Sequence, residues 1–312
     1  MEGSLATSGG EGIDLGDAAR LAELRELFRH EYGFFKDIVD RGAATFGQAW
    51  IDEFEHTLQR LFPSKAALSR AAKGYAHFVM ALMRLQKRFE RDRHYLPKAY
   101  ADAAREVYLD DDYMLSEYLP GLLLSHFLWP HHWRHARFFD VAFVAQMQMH
   151  PKPSFVEVGI GTGLYSRRLL QQLPSASGRG FDLSPGSKSF AEAHLRAFGV
   201  EDRYEAVLQD VLANPISPCE WLVCIEVLEH LEDPPSFLRM LRESLVPGGR
   251  AFITAALNSA HVDHIYLYER PEDVHEHLRS AGFALEQAFV GVPYPPATPD
   301  TPVPGVAAFV VT

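Results

Sequence analysis

The stretch VEVGIGTGLYSRRLL, residues 156–170, constrains this chain more than any other. It sets Gly159, Gly161 and Gly163 between a β-branched apolar run and a helical one. In such a strand, turn and helix unit, glycines let the backbone approach a ligand closely, and the helix start offers free N–H groups to it. The ligand sits beyond the C-terminal edge of the strand. A pyrophosphate cradle prefers G-x-G-x-x-G, whereas the spacing here is G-x-G-x-G with Leu164 in the sixth position. That disfavours a dinucleotide and, with it, hydride transfer to a nicotinamide.

The surrounding rhythm predicts the architecture. After HPKP, residues 150–153, short β runs alternate with helices, the pattern of a parallel sheet with crossover helices. Strands are expected at 154–158, 178–182, 204–208, 221–225, 250–255, 283–290 and 306–311, and helices at 164–173, 187–198, 235–245 and 271–281. The class is therefore α/β, with a Rossmann-like, mostly parallel seven-stranded sheet over residues 150–312. VPYPPATPDTPVPG, between the last two strands, lacks the N–H groups that a central strand or helix needs. It reads as a loop.

Residues 18–149 are helical in period and form an all-helical N-terminal cap. Helices are expected over 18–39, 45–61 and 66–93, the last with Tyr75, Val79, Leu82, Met83 and Phe89 on its buried stripe. Pro97 opens another that runs through Tyr108, acidic LDDDYM suits a further helix start, and Pro120 and Pro130 break the remainder of the cap into short pieces. Residues 1–17 are expected to be a disordered tail, without the basic start or apolar core of a targeting peptide.

Charge and cysteine content narrow the partners. The net charge is −11, and residues 151–312 carry 12 Lys/Arg against 20 Asp/Glu. A nucleic-acid partner needs a basic footprint, so none is expected. The stripe Arg84, Lys87, Arg88 and Arg91 reads as a solvated helix face. No apolar run approaches the roughly 20 residues that span a bilayer, so no membrane partner is expected. Cys219 and Cys224 both lie in or beside an apolar run, which favours buried free thiols and a cytoplasmic setting. A homodimer is compatible with the sequence.

Carboxylates follow the glycine turn at strand ends. Glu157 precedes it, Asp182-Leu183 closes the second strand, Asp210-Val211 the third, and Glu226 the fourth, in CIEVLEHL. Asp182 is placed to accept hydrogen bonds from ribose hydroxyls, and Asp210 with Val211 to bracket an adenine edge. Each feature alone has a plain structural explanation as a turn or cap. Their order, ending in LVPGGRAFIT, resembles the class I S-adenosylmethionine-dependent methyltransferases over residues 150–312. The resemblance implies S-adenosylmethionine as cofactor and a small-molecule methyl acceptor, with cofactor contacts at Glu157, Gly159, Gly161, Gly163, Asp182, Leu183, Asp210, Val211 and Glu226.

Methyl transfer needs positioning and, for some acceptors, a base. Tyr165, just past the turn, and Tyr113 and Tyr118 in the cap are the aromatic candidates; a desolvated sulfonium gains ~1–2 kcal/mol from such a face. Asn258, His261 and His264, after the fifth strand, are expected to contact the acceptor. Glu229 reads as a solvated helix residue, and His230, Trp129 and Trp133 as packing. His131 with His135, and His261 with His264, lack a nearby cluster of thiolates or carboxylates at ligand spacing, so no metal is expected.

The cap, from KGYAHFVMALMRLQKRFERD to LLLSHFLWPHHW, also resembles that of azetidine-2-carboxylate synthases. That likeness implies an alternative in which the α-amine of S-adenosylmethionine attacks its own γ-carbon and methylthioadenosine leaves. A non-catalytic binding module is the third reading, with tight binding and no turnover.

Overall fold

A computed structural model describes residues 13–296, 298 and 301–312. By compactness the chain divides into a unit ending at Ser69 and a unit of Arg70–Thr312. Residues 70–149, expected in a separate helical domain, thus share a compact unit with the sheet. Residues 1–12 of the expected tail lie outside the described residues. Residues 13–17 are ordered: Leu15 is buried, and Ile13 N–H donates to Asp40 Oδ1 at 3.2 Å.

In the first unit, the expected helix 18–39 is broken into Ala19–Glu31, a 3-10 turn Gly33–Phe35, and Ile38–Phe46. The first helix has no side-chain cap of its own. Glu55, on the next helix Gln48–Leu61, supplies one by accepting the N–H groups of Arg20 (3.1 Å) and Leu21 (2.7 Å).

The long helix Lys65–Asp92 buries Tyr75, Val79 and Phe89 as expected, but Met83 is exposed and Gln86 is buried instead. Gln86 is satisfied inside because Nε2 donates to Asn258 O (3.0 Å) and Oε1 accepts from Ala260 N–H (2.9 Å). Arg84, Lys87, Arg88 and Arg91 are exposed. The next helix begins at Tyr100, three residues past Pro97, and runs as Tyr100–Ala103 into a π-helical turn, Ala104–Tyr108. A second π turn, Met114–Tyr118, joins Asp111–Tyr113 to Leu119–Leu128. Pro120 therefore does not break the chain: the wider turn before it relieves the need for its missing N–H. Pro130 does start a new helix, Pro130–Phe139.

The sheet comprises β1 (Ser154–Val158), β2 (Ser177–Asp182), β3 (Tyr204–Leu208), β4 (Cys219–Cys224), β5 (Leu245–Leu257), β6 (Leu285–Gly291) and β7 (Gly305–Val311). Their order is β3-β2-β1-β4-β5-β7-β6, with β7 antiparallel to both neighbours and the rest parallel. The expected mostly parallel sheet is present. Helices Leu164–Gln172, Pro185–Ala197, Pro234–Glu243 and Pro271–Ser280 connect it. Phe139 and Phe143 pack on Phe252 of β5 at ring distances of 5.0 and 5.8 Å, seating the preceding helices on one face. Strand order reverses between β1 and β4, so the loops leaving their C-terminal ends diverge into a crevice. Cys219 and Cys224 are free and buried, and among the described residues no helix is long and apolar enough to cross a membrane.

Candidate active site

The crevice begins at the glycine turn. Gly159 has φ +78°, and a Cβ there would lie 2.5 Å from Val227 Cγ2; no other residue permits both the conformation and the approach. Gly163, at φ +70°, caps Leu164–Gln172 and packs against Ala191. Asp182 secures the turn from β2: its carboxylate accepts N–H groups from Gly161 (3.2 Å) and Ser184 (2.9 Å). Burial pushes its carboxyl above the usual range, and those backbone donors oppose the shift.

Asp182, Leu183, Asp210 and Val211 line one cleft with Gly159, while Val227, Leu231 and Phe237 give it an apolar wall. Tyr100 closes the cleft from the helical side. Its N–H donates to Glu232 Oε1 at 2.8 Å, and its phenol is pushed up to about 12 by burial and by Asp210 and Asp182. Two carboxylates facing an apolar wall suit a nucleoside: hydroxyls and ring edges on one side, a base plane on the other.

Past the Val227–Leu231 wall, a polar cluster joins the ends of β4 and β5 to the cap. The Glu229 carbonyl accepts N–H groups from Ile265 (2.7 Å) and Tyr266 (2.9 Å), stapling the two loops together. Tyr118 donates to Asp263 Oδ2 (3.0 Å), His261 Nδ1 hydrogen-bonds the other Asp263 oxygen, and Tyr108 hydroxyl meets His230 Nδ1 at 2.9 Å. His264 Nδ1–H donates to Ser259 O at 2.6 Å, which leaves Nε2 as a lone-pair nitrogen. Burial works against the Asp263 carboxylate, yet His230, His261 and His264 hold its carboxyl well below the usual range. Burial, reinforced by Glu226, drives the Glu229 carboxyl well above it.

Several expected site residues lie elsewhere. Glu157 points into the interior, where Ser166 Oγ and Tyr204 hydroxyl (2.7 Å) donate to it and burial pushes its carboxyl up to about 7. Glu226, at φ +52°, accepts from Thr254 Oγ1 at 2.9 Å and is pushed up to about 7 by burial. Tyr165 is buried against His135 Nδ1 (3.0 Å) and Phe139; the helix turns it toward the cap. Asn258 is a turn residue at φ +49° whose Nδ2 donates to Glu269 O at 2.7 Å. Tyr113 and Tyr118 do meet, with rings 6.1 Å apart, beside His261. Trp133 is core, and Trp129 Nε1 donates to Tyr75 hydroxyl at 3.0 Å.

Glu229 is fully buried, not solvated, and His230 is hydrogen-bonded rather than merely packed. Tyr100, Tyr108 and Asp263 were not anticipated; only the Asp inside HVDH carried a sequence signal. Glu229, His230 and His264 offer ligand atoms within 4.8 Å of one another, as do His261, Asp263 and His264. These sets have the donor chemistry of a divalent metal site.

A methyltransferase domain family matches residues 126–289, just over half of the chain and including every cleft residue except Tyr100. The chain is a class I S-adenosylmethionine-dependent methyltransferase by family. The cofactor of this methyltransferase fold is S-adenosylmethionine. Curated relatives include the ubiquinone biosynthesis O-methyltransferase of Xylella fastidiosa strain 9a5c, 30% identical over 45% of this chain and 64% of the relative. That of Marinobacter nauticus is 27% identical over 46% and 68%. The chain thus spans under two thirds of the Xylella relatives' length. Among solved structures, the methyltransferase SibL in its apo form is 18% identical over 94% of this chain and 96% of its own, with a TM-score of 0.48.

Proposed function

We propose that this methyltransferase-family chain alkylates a small molecule held beside the His230, His261, Asp263 and His264 cluster. The observation that carries this reading is the position of the cluster: it continues the same Val227–Leu231 segment that walls the nucleoside cleft. Bound S-adenosylmethionine supplies an electrophilic methyl group on a sulfonium. The chain supplies position, dryness and proton acceptors. Asp182 and Asp210 orient the nucleoside through its hydroxyls and base edge. Tyr108 and Tyr118, both half-buried, lay their rings over the cluster and limit its access to water. Asp263 fixes the His261 ring, so that its Nε2 can take a proton from the acceptor.

A second reading, cyclisation of S-adenosylmethionine to azetidine-2-carboxylate, is favoured by one observation. Asp263 is wholly buried, and the half-buried Tyr118 is bonded to it, so the cluster's carboxylate is already engaged by the chain's own phenol. In that reading Tyr113 and Tyr118 present faces to the sulfonium, and no acceptor is needed. Incubation with S-adenosylmethionine alone separates the two: inertness until an acceptor is added supports methyl transfer, whereas stoichiometric methylthioadenosine with a cyclic amino acid supports cyclisation. Binding without turnover under both conditions defeats both. A cytoplasmic setting fits the two free, buried cysteines.

A further inference from the structure

Glu229, His230 and His264 come together from the loops that follow two neighbouring strands, β4 and β5. Their ligand atoms lie within 4.8 Å of one another, and the two imidazole rings are 4.9 Å apart. The tautomers are fixed by what each Nδ1 meets. His264 Nδ1 lies 2.6 Å from the Ser259 carbonyl, and His230 Nδ1 lies 3.2 Å from that of Asp263. A carbonyl oxygen only accepts, so both Nδ1 atoms carry the proton and both Nε2 atoms a lone pair. Metal-binding histidines share this arrangement, with the far ring N–H held by a carbonyl or carboxylate.

Glu229 supplies the anionic donor. Both of its carboxylate oxygens are buried and no side chain bonds either, while the backbone N–H groups of Glu229 and Ala256 meet it without offering a charge. A carboxylate so placed calls for a cation. The loops that carry the three donors are held together, because the Glu229 carbonyl accepts the N–H groups of Ile265 and Tyr266. We propose that Glu229, His230 and His264 bind one divalent transition-metal ion of the zinc class. Two imidazoles and a carboxylate suit a zinc site whose fourth position is left to water or to a substrate oxygen. Mg2+ and Ca2+ prefer all-oxygen ligands, so the two nitrogens select against them. With zinc bonds of about 2.0–2.2 Å, donors stand about 3.4 Å apart, so the three need only short inward shifts. His230 and His264 are half-buried, which gives an ion a path from solvent. The site goes beyond the alkyl-transfer reading and stands without it: His261, the proton acceptor there, is not among the three ligands.

The test titrates the full chain, stripped with a chelator and dialysed, with Zn2+ and with Co2+, whose visible spectrum reports its ligands. Wild type should bind one equivalent of either ion, and the Co2+ bands should be those of nitrogen and oxygen ligation, with no thiolate charge-transfer band. Glu229→Gln and His264→Gln should each weaken Zn2+ binding more than about 100-fold, beyond the cost of losing an outer partner. His261→Gln should retain the single equivalent. Binding of S-adenosylhomocysteine at the separate nucleoside cleft shows that each variant is folded. Absence of binding by wild type overturns the proposal. So does a thiolate band, which would place the ion at Cys219 or Cys224, or a Zn2+ affinity that is unchanged in Glu229→Gln. The wild-type titration and spectrum decide the first two outcomes even if every variant fails to fold.

Discussion

Tyr118 and Asp263, 145 residues apart in the chain, are joined by a hydrogen bond of 3.0 Å between a half-buried phenol and a buried carboxylate. The bond ties the cap to the loop after β5. Tyr118→Phe removes the donor but leaves the ring, so Asp263 loses about 1.5–3 kcal/mol of charge-assisted bonding. Thermal denaturation should fall by roughly 3–12 °C for a unit of this size. An unchanged midpoint would show that the bond contributes nothing to holding cap and loop together.

Asp182 carries the cofactor prediction. Asp182→Ala should weaken S-adenosylmethionine binding about 10- to 150-fold, the cost of leaving hydroxyls without a charged acceptor. Because the same carboxylate holds Gly161 and Ser184 N–H groups, Asp182→Asn should bind better than the alanine variant. Titration calorimetry measures both, and wild-type affinity in Asp182→Ala removes Asp182 from the cleft's chemistry.

Glu157 should give stability a pH dependence. Its carboxyl is pushed up to about 7 by burial, from an ordinary value of 4.5. A raised acid contributes stability that is fully present below about 4.5 and is lost as pH rises through about 7, because the unfolded chain ionises first. The loss is on the order of 3 kcal/mol. Urea denaturation from pH 4.5 to 8 should therefore show a steeper decline for wild type than for Glu157→Gln. Parallel curves would mean that Glu157 stays ionised inside.

The thiols should be silent in the folded chain. Burial pushes Cys219 up to about 12 and Cys224 further. At pH 8 a thiol reagent should label neither in native protein and both after denaturation. Rapid native labelling would show that the β4 region opens readily.

The sheet was readable because its signals are local. YEAVL is a short, mostly apolar run bounded by polar residues, and it forms β3 over the expected residues. Glycine spacing and strand-end acids likewise sit in short windows, which is why Asp182, Asp210 and Val211 reach the cleft together. Glu229 was misjudged because its helical context is a single 3-10 turn, Leu228–His230, whose burial depends on Ile265 and Tyr266 bonding back across the chain. Tyr165 follows the glycine turn in sequence, yet the first turn of its helix rotates it toward His135. Asn258 looked like an acceptor contact but spends its side chain on Glu269 O. In each miss the deciding partner is distant in sequence.

The π turns at Ala104–Tyr108 and Met114–Tyr118 have a further consequence. Each ends on a tyrosine that reaches the polar cluster. Since one residue advances an α-helix by roughly 100°, deleting a single residue within 114–118 would swing the aromatic side chains upstream of the cut onto another bearing, with no change in their chemistry. The aim of this tyrosine set is thus stored in the winding of the backbone, so the length of the cap can tune the polar cluster as effectively as its composition.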